Sequence, residues 1–316
     1  MRLVFCGTPA FAAPTLATLL AAGHEIALVV SQPDRPVGRA HQMTAPPVKQ
    51  AALAAGLAVT QPEKIKSNAE FRAQLEAIAP EAIVVVAYGR IIPAWMLALP
   101  RFGCINLHGS LLPKYRGAAP IQWAVAMGDA VTGNTTMLLE EGLDTGPILL
   151  QQTVEISPQQ TAVELFDLLA HAGAPLVVET LAGLADGSVQ PVPQNHEGAT
   201  YAPLLDREDG RMDFAARTAH ELVNRWRGFQ PWPGAFTTVD GRKLIVHRMA
   251  VAAPALGQGL PGEIRVDGQR LFAACAASTW IELVEVQLEG KKRMAAAEFL
   301  RGNHFAVGAR LGTQAP

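Results

Sequence analysis

The first half of the chain alternates short apolar runs with longer amphipathic runs. Ile83–Val86 is apolar without alternating polar positions, which is typical of a parallel strand covered on both faces. The amphipathic runs have helical spacing, and the alternation predicts an α/β domain with a Rossmann-like, doubly wound, mostly parallel sheet. The predicted strands are Leu3–Cys6, Ile26–Ser31, Leu57–Thr60, Ala82–Ala87 and Gly103–Leu107. The predicted helices are Ala10–Ala22, with Thr8 as candidate N-cap, Pro47–Ala55, Asn68–Ala79 and Pro120–Met127.

The middle of the chain contains further strand-like residues, a long helix and a segment rich in turn-forming residues. Gly133–Ile156 predicts strands, and Thr161–Ala185 predicts the helix. Asp186–Asp206 is rich in Gly, Pro, Gln and Asn, which is typical of a linker between domains. A chain of 316 residues suggests two domains at roughly 150 residues each. We therefore predict a first domain over residues 1–189, a linker over 190–206 and a second domain over 207–316.

The pattern changes after this linker. An amphipathic helix over Thr218–Gly228 is followed by short strands separated by turns such as Asp240-Gly241. Several short strands with regular turns predict a small barrel or sandwich, and five strands favour an OB-like β-barrel. The predicted strands are Thr237–Val239, Lys243–Ala250, Gly262–Val266, Arg270–Ala274 and Trp280–Gln287.

Composition and charge narrow the class of protein. Hydrophobic residues make up 49% and charged residues 17% of the chain, and no uncharged apolar run reaches the roughly 18 residues of a membrane span. The N-terminal strand is too short for a signal peptide. Cys6, Cys104 and Cys275 are few and widely spaced, which indicates buried thiols in a reducing compartment. We expect a cytoplasmic monomer with no metal ion and no membrane contact. Residues 206–316 carry 15 basic and 12 acidic side chains, a mild excess that is compatible with a polyanionic partner but is more often an ordinary solvated surface.

Two polar side chains end the last predicted strand of the first domain. Asn106 and His108 are two residues apart, so on a strand their side chains point to the same face. An amide N–H and an imidazole N–H directed at one point make an oxyanion site beside a proton-transfer group. Ligands of doubly wound sheets bind at the carboxyl ends of the strands. Asp144, in the turn Gly142–Gly146, is predicted to lie at the same edge and to orient His108.

Other chemistries lack their motifs. The turn after the first strand, Gly7-Thr8-Pro9-Ala10-Phe11-Ala12, does not have the Gly-x-Gly-x-x-Gly pattern of a dinucleotide site. No Gly-x-Ser-x-Gly motif is present and Cys104 lies within an apolar strand, so no nucleophilic Ser or Cys is indicated. Taken singly, Asn106, His108 and Asp144 each also have a structural interpretation. Their predicted position at one sheet edge favours the catalytic interpretation.

The predicted site lies in a long motif, Asn106-Leu107-His108-Gly109-Ser110-Leu111-Leu112-Pro113-Lys114-Tyr115-Arg116-Gly117-Ala118-Ala119-Pro120-Ile121-Gln122. This motif strongly resembles the methionyl-tRNA formyltransferase family, and the resemblance covers nearly the whole chain. The Asn-x-His…Asp trio and Ser-Leu-Leu-Pro are shared with the wider superfamily that uses 10-formyltetrahydrofolate. The Gln-Pro-Asp-Arg-Pro loop and the C-terminal barrel narrow the resemblance to the tRNA enzymes. The other matching segments are 5–12, 31–36, 85–89, 142–146 and 231–233.

The resemblance implies transfer of a formyl group from the co-substrate 10-formyltetrahydrofolate to the α-amine of methionine on initiator tRNA. Asn106 and His108 are expected to donate to the developing oxyanion, and His108, held by Asp144, is expected to move protons. The residues implied in the folate pocket are Ser110, Leu111, Leu112 and Pro113 on one wall and Ile91 on the other. We predict that Phe11 lines an apolar recess for the methionine side chain, and plain core packing is the alternative role for this residue.

The loop from Pro33 to about Ala45 is implied to enter the acceptor stem of the tRNA. Arg35 and Arg39 suit contacts to phosphates or bases there. Family members often carry lysines directly after the Gly-Arg pair, whereas this chain has Ala40-His41-Gln42, so we expect weaker phosphate contacts. A lysine common near the linker is also missing from Pro203-Leu204-Leu205. Candidate basic residues that compensate are Arg207, Arg211 and Lys291-Lys292-Arg293.

Two other functions remain open from the sequence. A formyltransferase acting on a small amine, such as a nucleotide sugar or glycinamide ribotide, would use the same trio of residues. The C-terminal barrel and the Arg-bearing loop favour tRNA over that alternative. An RNA-binding protein with an inactive Rossmann-like domain is the second possibility, and the intact Asn106, His108 and Asp144 argue against it.

Overall fold

The computed structural model describes residues 1–37, 42–253 and 256–312, and the chain forms two compact units. The N-terminal unit comprises Met1–Pro120, Val131–Ile156 and Glu164–Pro203. The C-terminal unit comprises Ile121–Ala130, Ser157–Val163 and Leu204–Pro316. The α-helices are α1 (Ala13–Ala21), α2 (Pro47–Ala54), α3 (Ala69–Ile78), α4 (Ala94–Leu97), α5 (Pro120–Ala126), α6 (Ala162–Asp186), α7 (Ala219–Gly228) and α8 (Ala296–Gly302).

A seven-stranded sheet forms the centre of the N-terminal unit. The strands of this unit are β1 (Arg2–Gly7), β2 (Glu25–Val30), β3 (Arg35–Val37), β4 (Gln42–Thr44), β5 (Val59–Thr60), β6 (Ala82–Val86), β7 (Cys104–His108), β8 (Arg116–Gly117), β9 (Val131–Leu138), β10 (Ile148–Glu155) and β11 (Tyr201–Ala202). The large sheet has the order β10-β9-β7-β6-β1-β2-β5. Strands β5, β2, β1, β6 and β7 pair in parallel, and β9 and β10 continue the sheet antiparallel.

The burial of these strands explains their sequence. Every residue of β6 and of β7 is buried, as expected for inner parallel strands with both faces covered. The predicted α/β class with a mostly parallel sheet is therefore confirmed, and each strand expected in the first half of the chain is present. The strand order reverses direction at β1, since β2 lies on one side of it and β6 on the other. Crevices that bind ligands form at the carboxyl ends of strands near such a reversal.

Helix α6 packs on this sheet through apolar residues and through polar contacts to β9, one of which runs from Asn134 Nδ2 to the carbonyl of Leu169 at 2.9 Å. Leu165, Leu169, Val177 and Leu181 are buried, and the Thr180 hydroxyl lies 2.8 Å from that of Thr136 on β9. By length and composition, α6 alone among the described helices is long and apolar enough to cross a membrane. Half of its most apolar stretch is buried in the unit, which is also the behaviour of a core helix in a globular domain.

The C-terminal unit contains a separate antiparallel sheet, which confirms the predicted small β domain after the α/β domain. Its strands are β12 (Phe236–Val239), β13 (Arg242–Val251), β14 (Ile264–Asp267), β15 (Arg270–Ala274), β16 (Trp280–Leu288) and β17 (Met294–Ala295). The order is β12-β13-β16-β15-β14, and β17 pairs with β16. A core that includes Leu244, Leu271, Ile281 and Phe299 joins the sheet to α7 and α8.

Several local expectations were wrong or incomplete. Thr8 does not cap the first helix, because its hydroxyl donates to the Tyr88 carbonyl at 3.0 Å and the chain instead enters α1 through a 3-10 turn over Ala10–Ala12. The hairpin β3–β4, the pair β8–β11, the short helices α4 and α8, and β17 were not predicted. All of these elements are short, so periodicity of burial hardly develops along them.

A capping box stabilises the N-terminus of α7, and its contribution to stability can be tested. Thr218 and Glu221 form a capping box, in which Glu221 N donates to Thr218 Oγ1 (3.3 Å) and Thr218 N donates to Glu221 Oε2 (2.7 Å). We expect Thr218→Ala to lower the free energy of unfolding by about 1 kcal/mol, measured by urea denaturation. Thr218→Ser retains the acceptor and should match the wild type. Equal stability of the Ala variant would contradict the role of the cap.

Candidate active site

Strand β7 brings Asn106 and His108 to one edge of the parallel sheet. Asn106 pairs with Val85 on β6 and Met137 on β9, and His108 pairs with Thr135 on β9. Both side chains are buried, with 9% and 6% of their surfaces exposed. The two-residue spacing therefore places both side chains on one face, at the carboxyl end of a strand whose position is fixed from both sides.

The two ring nitrogens of His108 have different neighbours. Nε2 lies 2.9 Å from the carbonyl oxygen of Tyr115, and Nδ1 lies 3.7 Å from Asp144 Oδ2. Both neighbours are hydrogen-bond acceptors. Within the described parts of the chain, the Asn106 amide has no hydrogen-bond partner, which leaves its N–H groups available to a ligand. The predicted association of His108 with Asp144 is thus present in the geometry.

Asp144 is held at this edge by the turn between β9 and β10. Its backbone is in the left-handed region (φ 51°), which Asp tolerates better than most residues. Its Oδ2 atom accepts a hydrogen bond from Gly117 N at 2.8 Å. Gly117 has a φ of 124°, and a Cβ atom there would lie 2.6 Å from the carbonyl oxygen of Ala202. Only glycine therefore allows β8 to approach both β11 and Asp144.

The Ser110–Pro113 turn is braced from strand β9. Thr135 Oγ1 donates to the carbonyl of Ser110 (2.6 Å) and accepts from Leu112 N (3.1 Å). Gln151 Nε2 donates both to that hydroxyl and to the carbonyl of Leu112, each at 2.9 Å. The Ser110 hydroxyl is fully buried and donates to the carbonyl of Lys114. The turn is therefore held in one shape by buried polar contacts, and Leu111 and Pro113 are partly exposed beside it.

The other predicted residues lie in varied surroundings. Phe11 is buried and its ring meets that of Phe166 edge-on, with centroids 4.9 Å apart. Ile91 follows β6 and is 87% exposed. Arg35 is exposed on β3, and Arg39 lies outside the described residues.

The buried thiols do not have the properties of a nucleophile. Burial raises the pKa of the Cys104 thiol to about 12, and it raises the pKa of Cys6 well above its usual value, with Cys104 adding to the effect. A thiol becomes nucleophilic when its pKa is lowered. Among the described residues, no group of three or more His, Cys, Asp or Glu side chains is arranged to hold a metal ion. The polar side chains that the structure places at this edge are an amide, an imidazole and a carboxylate.

Sequence reasoning missed one residue that contacts the Asp144 turn and a second residue that bonds to the first. Gln194 is buried and donates to the carbonyls of Asp144 (2.9 Å) and Gly146 (2.7 Å). Arg116 is buried and donates to Gln194 Oε1 through Nε (3.1 Å) and Nη2 (2.6 Å). Arg116 stood within the long motif without an assigned role. No sequence pattern marks Gln194 as buried, because a single Gln in a Pro-rich segment is typical of an exposed loop.

Comparison with protein families matches both parts of the chain. Residues 1–181 match the family described as formyl transferase, and residues 204–304 match the family described as formyl transferase, C-terminal domain.

Similar proteins extend this match over the full length. A methionyl-tRNA formyltransferase of Acidobacterium capsulatum is 67% identical over 312 residues, which cover 99% of this chain and 100% of that protein. A methionyl-tRNA formyltransferase of Koribacter versatilis is 57% identical over 302 residues, which cover 96% of each chain.

Solved structures share the fold at much lower identity. The sugar 3N-formyl transferase WlaRD, solved with dTDP and 5-N-formyl-THF, has a TM-score of 0.65 at 16% identity, over 92% of this chain and 99% of that one. HypX from Aquifex aeolicus, solved with tetrahydrofolic acid, has a TM-score of 0.62 at 15% identity, over 95% of this chain and 47% of that one. At these identities the likeness establishes the fold alone.

The brace of the Ser110–Pro113 turn yields a stability prediction. Thr135→Val removes a buried hydroxyl that serves Ser110, Leu112 and Gln151, so we expect a loss of roughly 1–3 kcal/mol in the free energy of unfolding. Thr132→Val is the matched control on the same strand, because the Thr132 hydroxyl is buried without a partner in the described chain. Urea denaturation of the two variants measures the difference. Equal stabilities would show that the bonds of Thr135 do not hold the turn.

Proposed function

This chain belongs to the methionyl-tRNA formyltransferase family, and we propose that Asn106, His108 and Asp144 carry out its reaction. The enzyme transfers the formyl group of 10-formyltetrahydrofolate to the α-amine of methionine on initiator tRNA, giving N-formylmethionyl-tRNA for translation initiation. The observation that supports the residue assignment is the convergence of the three side chains at the carboxyl end of β7.

The acceptor requires little activation. An ester group withdraws electrons from the neighbouring α-amine, so the pKa of that amine lies below the ~7.7–8.0 of an ordinary α-amino group. A sufficient fraction is then neutral near pH 7 without a strong base. The residues consequently have two tasks, which are to stabilise negative charge on the formyl oxygen and to move protons between the two nitrogens.

Asn106 and His108 suit the first task. Attack of the amine on the formyl carbon makes a tetrahedral species whose oxygen carries negative charge, and preorganised N–H donors stabilise it. The Asn106 amide is without a partner in the described chain, and His108 lies on the same face of β7. Both groups are on a rigid strand, which limits their reorganisation during the reaction.

His108 and Asp144 suit the second task. The attacking amine must lose a proton, and N10 of the folate must gain one as it departs. An imidazole transfers protons in both directions near neutral pH. Asp144, 3.7 Å from Nδ1, favours a ring that carries a proton on that nitrogen. In the structure Nε2 is 2.9 Å from the Tyr115 carbonyl, and a bound substrate would compete with that carbonyl for the same N–H.

Truncation to alanine tests the role of each of these three side chains. We expect His108→Ala and Asp144→Ala to lower turnover at least ~100-fold, and Asn106→Ala to lower it by roughly 100- to 1,000-fold. Turnover is measured at saturating substrates, and circular dichroism checks that each variant is folded. Near-wild-type turnover of a folded variant would remove that residue from the catalytic role.

We place the folate beside the Ser110–Pro113 turn, with Ile91 on the opposite wall. The support is the partial exposure of Leu111 and Pro113 and the strong exposure of Ile91, since an apolar surface of this kind suits an aromatic ring system. Ser110 would act by shaping the turn, because its hydroxyl is bonded to Lys114. For the methionine side chain we keep Phe11, whose contact with Phe166 places it in an apolar environment.

We assign the β3–β4 hairpin to the acceptor stem of the tRNA. Its base is fixed by Asp34, whose two carboxylate oxygens accept from Lys49 Nζ at 2.8 Å. Gln61 bonds to both of these side chains at 2.7 Å. The hydrogen bond from Lys49 lowers the pKa of Asp34 most, and the bond from Gln61 lowers it further. The charge of Asp34 is thus neutralised at the base, which leaves the exposed Arg35 to meet phosphate, and we keep Arg39 as a second proposed tRNA contact.

The remaining assignments follow the predicted division of the chain. We propose a catalytic domain over 1–189, a linker over 190–206 and a tRNA-binding domain over 207–316. Of the basic residues named as compensating contacts, Arg293 is paired with Glu285 (2.9 Å) and Arg211 lies near Glu208 (3.7 Å), whereas Lys291 and Lys292 are exposed. We further propose a cytoplasmic monomer.

The decisive experiment is transfer of labelled formyl from 10-formyltetrahydrofolate to charged initiator tRNA. Charged elongator methionine tRNA and small amines, including an amino nucleotide sugar, are the competing acceptors. We expect transfer to the initiator tRNA, with Arg35→Ala and Arg39→Ala lowering kcat/KM and each reducing the salt dependence by about one phosphate contact. Arg72→Ala, on the exposed face of α3, is the control.

If formyl were transferred only to small amines, Asn106, His108 and Asp144 would keep their proposed catalytic role, but tRNA would not be the acceptor. Unchanged kcat/KM in both hairpin variants would remove the hairpin from the tRNA interface.

A further inference from the structure

Gln194 is a buried residue within an exposed segment. It is 6% exposed, while every other residue from Gln190 to Gly198 is exposed or partly exposed. Its side chain therefore points into the N-terminal unit at one position along a surface segment. A buried polar side chain is retained only with its hydrogen bonds made, so the partners of Gln194 indicate what its position accomplishes.

Those partners use the whole capacity of the amide. Oε1 accepts two bonds from Arg116, and Nε2 donates one bond to the carbonyl of Asp144 and one to that of Gly146. An amide group has two N–H donors and an oxygen with two lone pairs, so no capacity remains. The orientation of the amide is also determined, since the guanidinium only donates and the two carbonyls only accept.

These contacts hold the turn that bears Asp144, the proposed partner of His108. Gln194 holds the carbonyls of Asp144 and Gly146, the ends of a three-residue segment in which Asp144 has a left-handed backbone. Rotation of that backbone would move the Asp144 carboxylate away from His108 Nδ1, which is already 3.7 Å distant. The two carbonyl contacts oppose this rotation.

Arg116 connects the same amide to the other side of the pair. Its two neighbours in the chain are Tyr115, whose carbonyl faces His108 Nε2, and Gly117, whose N–H donates to Asp144 Oδ2. The Arg116 side chain is 3% exposed and ends on Gln194 Oε1, with a further contact of 3.2 Å to His196 Nδ1. One amide thus joins the segment that bears Asp144 to the segment that contacts both His108 and Asp144.

We propose that Gln194 is a positioning residue of the formyl transfer: together with Arg116 it fixes the Asp144 carboxylate against His108 by holding the Asp144 and Gly146 carbonyls. The inference rests on the proposed catalytic role of His108 and Asp144. Gln194 touches neither substrate nor the reacting atoms in this assignment, and it acts only through the geometry of Asp144.

The backbone around Gln194 is held independently of its side chain. Val192 exchanges two hydrogen bonds with Ile148, both 2.8 Å long. Downstream, Arg116 N donates to the carbonyl of Thr200 (2.8 Å), and β11 pairs with β8. A change confined to the Gln194 side chain is therefore expected to leave the segment docked, which separates positioning from a purely structural role.

The test is Gln194→Glu. A carboxylate still accepts from Arg116, but it places an acceptor in front of two carbonyl oxygens and so releases the Asp144 turn. Because a misplacement of about 1 Å costs on the order of 100-fold, we expect kcat to fall by about that factor, with KM for both substrates near wild type. Gln190→Glu is the matched control, since the amide of this exposed residue contacts only the carbonyl of Gly187 in the described chain, and its kcat should be unchanged.

A double variant identifies the route of the effect. If Gln194 acts through Asp144, then Gln194→Glu combined with Asp144→Asn should be no slower than Asp144→Asn alone, whereas independent effects would multiply. Gln194→Met, which keeps the volume without a carboxylate, is measured in parallel, so that unfolding of one variant leaves the other to decide. Both should show the same loss of kcat.

Each result decides the inference. Wild-type kcat in the Gln194 variants, a change confined to KM, or multiplying losses in the double variant would overturn it while leaving the catalytic role of Asp144 intact. Near-wild-type activity of Asp144→Asn by itself would overturn the proposed function and, with it, the inference. A loss of kcat that vanishes in the Asp144→Asn background supports both.

Discussion

The position of the Asp144 carboxylate is the constraint on which the candidate active site depends. Its Oδ2 atom accepts from a backbone N–H, that of Gly117, and lies 3.7 Å from the ring of His108. A two-residue strand, β8, therefore determines where the carboxylate stands. That strand is itself held by β11 and by the Arg116 side chain, so the pair depends on residues that are remote in the sequence.

The sheet supplies the rigid half of this arrangement. Asn106 and His108 lie on β7, which is buried along its whole length and paired on both sides. The turns that carry Asp144 and Ser110–Pro113 are less regular, and each is fixed by buried polar contacts, from Gln194 in one case and from Thr135 in the other. Since an unpaired buried polar group is costly, these contacts give the turns a rigidity that their backbones lack.

The fold and the function are supported by different comparisons. The solved structures of WlaRD and HypX share the fold at 15–16% identity, and a shared fold does not determine which amine is formylated. The assignment to the methionyl-tRNA formyltransferases comes from identities of 67% and 57% over nearly the whole chain. Both units are covered by that similarity, so it extends beyond the sheet and its trio of polar residues to the small β domain.

Local patterns along the chain were sufficient for much of the architecture. Unbroken apolar runs predicted the inner strands, helical spacing predicted α2, α3, α6 and α7, and the two-residue spacing of Asn106 and His108 placed both on one face. These features depend on neighbours within a few residues, whose burial repeats with the period of the element. The association of Asp144 with His108 could be predicted because ligands of such sheets bind at one edge, where both residues were expected to lie.

Only the tertiary structure decided the contacts that complete the site. Thr8 bonds to Tyr88 instead of capping its helix, β8 pairs with β11, and Arg116 meets Gln194, which is 78 residues away. Such contacts join single residues from distant segments, so no periodic pattern records them. By itself the sequence determined the longer strands and helices and which residue types lie at the sheet edge. Their mutual distances and hydrogen bonds were decided by the folded chain, because a single side chain far along the sequence is buried only when the fold encloses it.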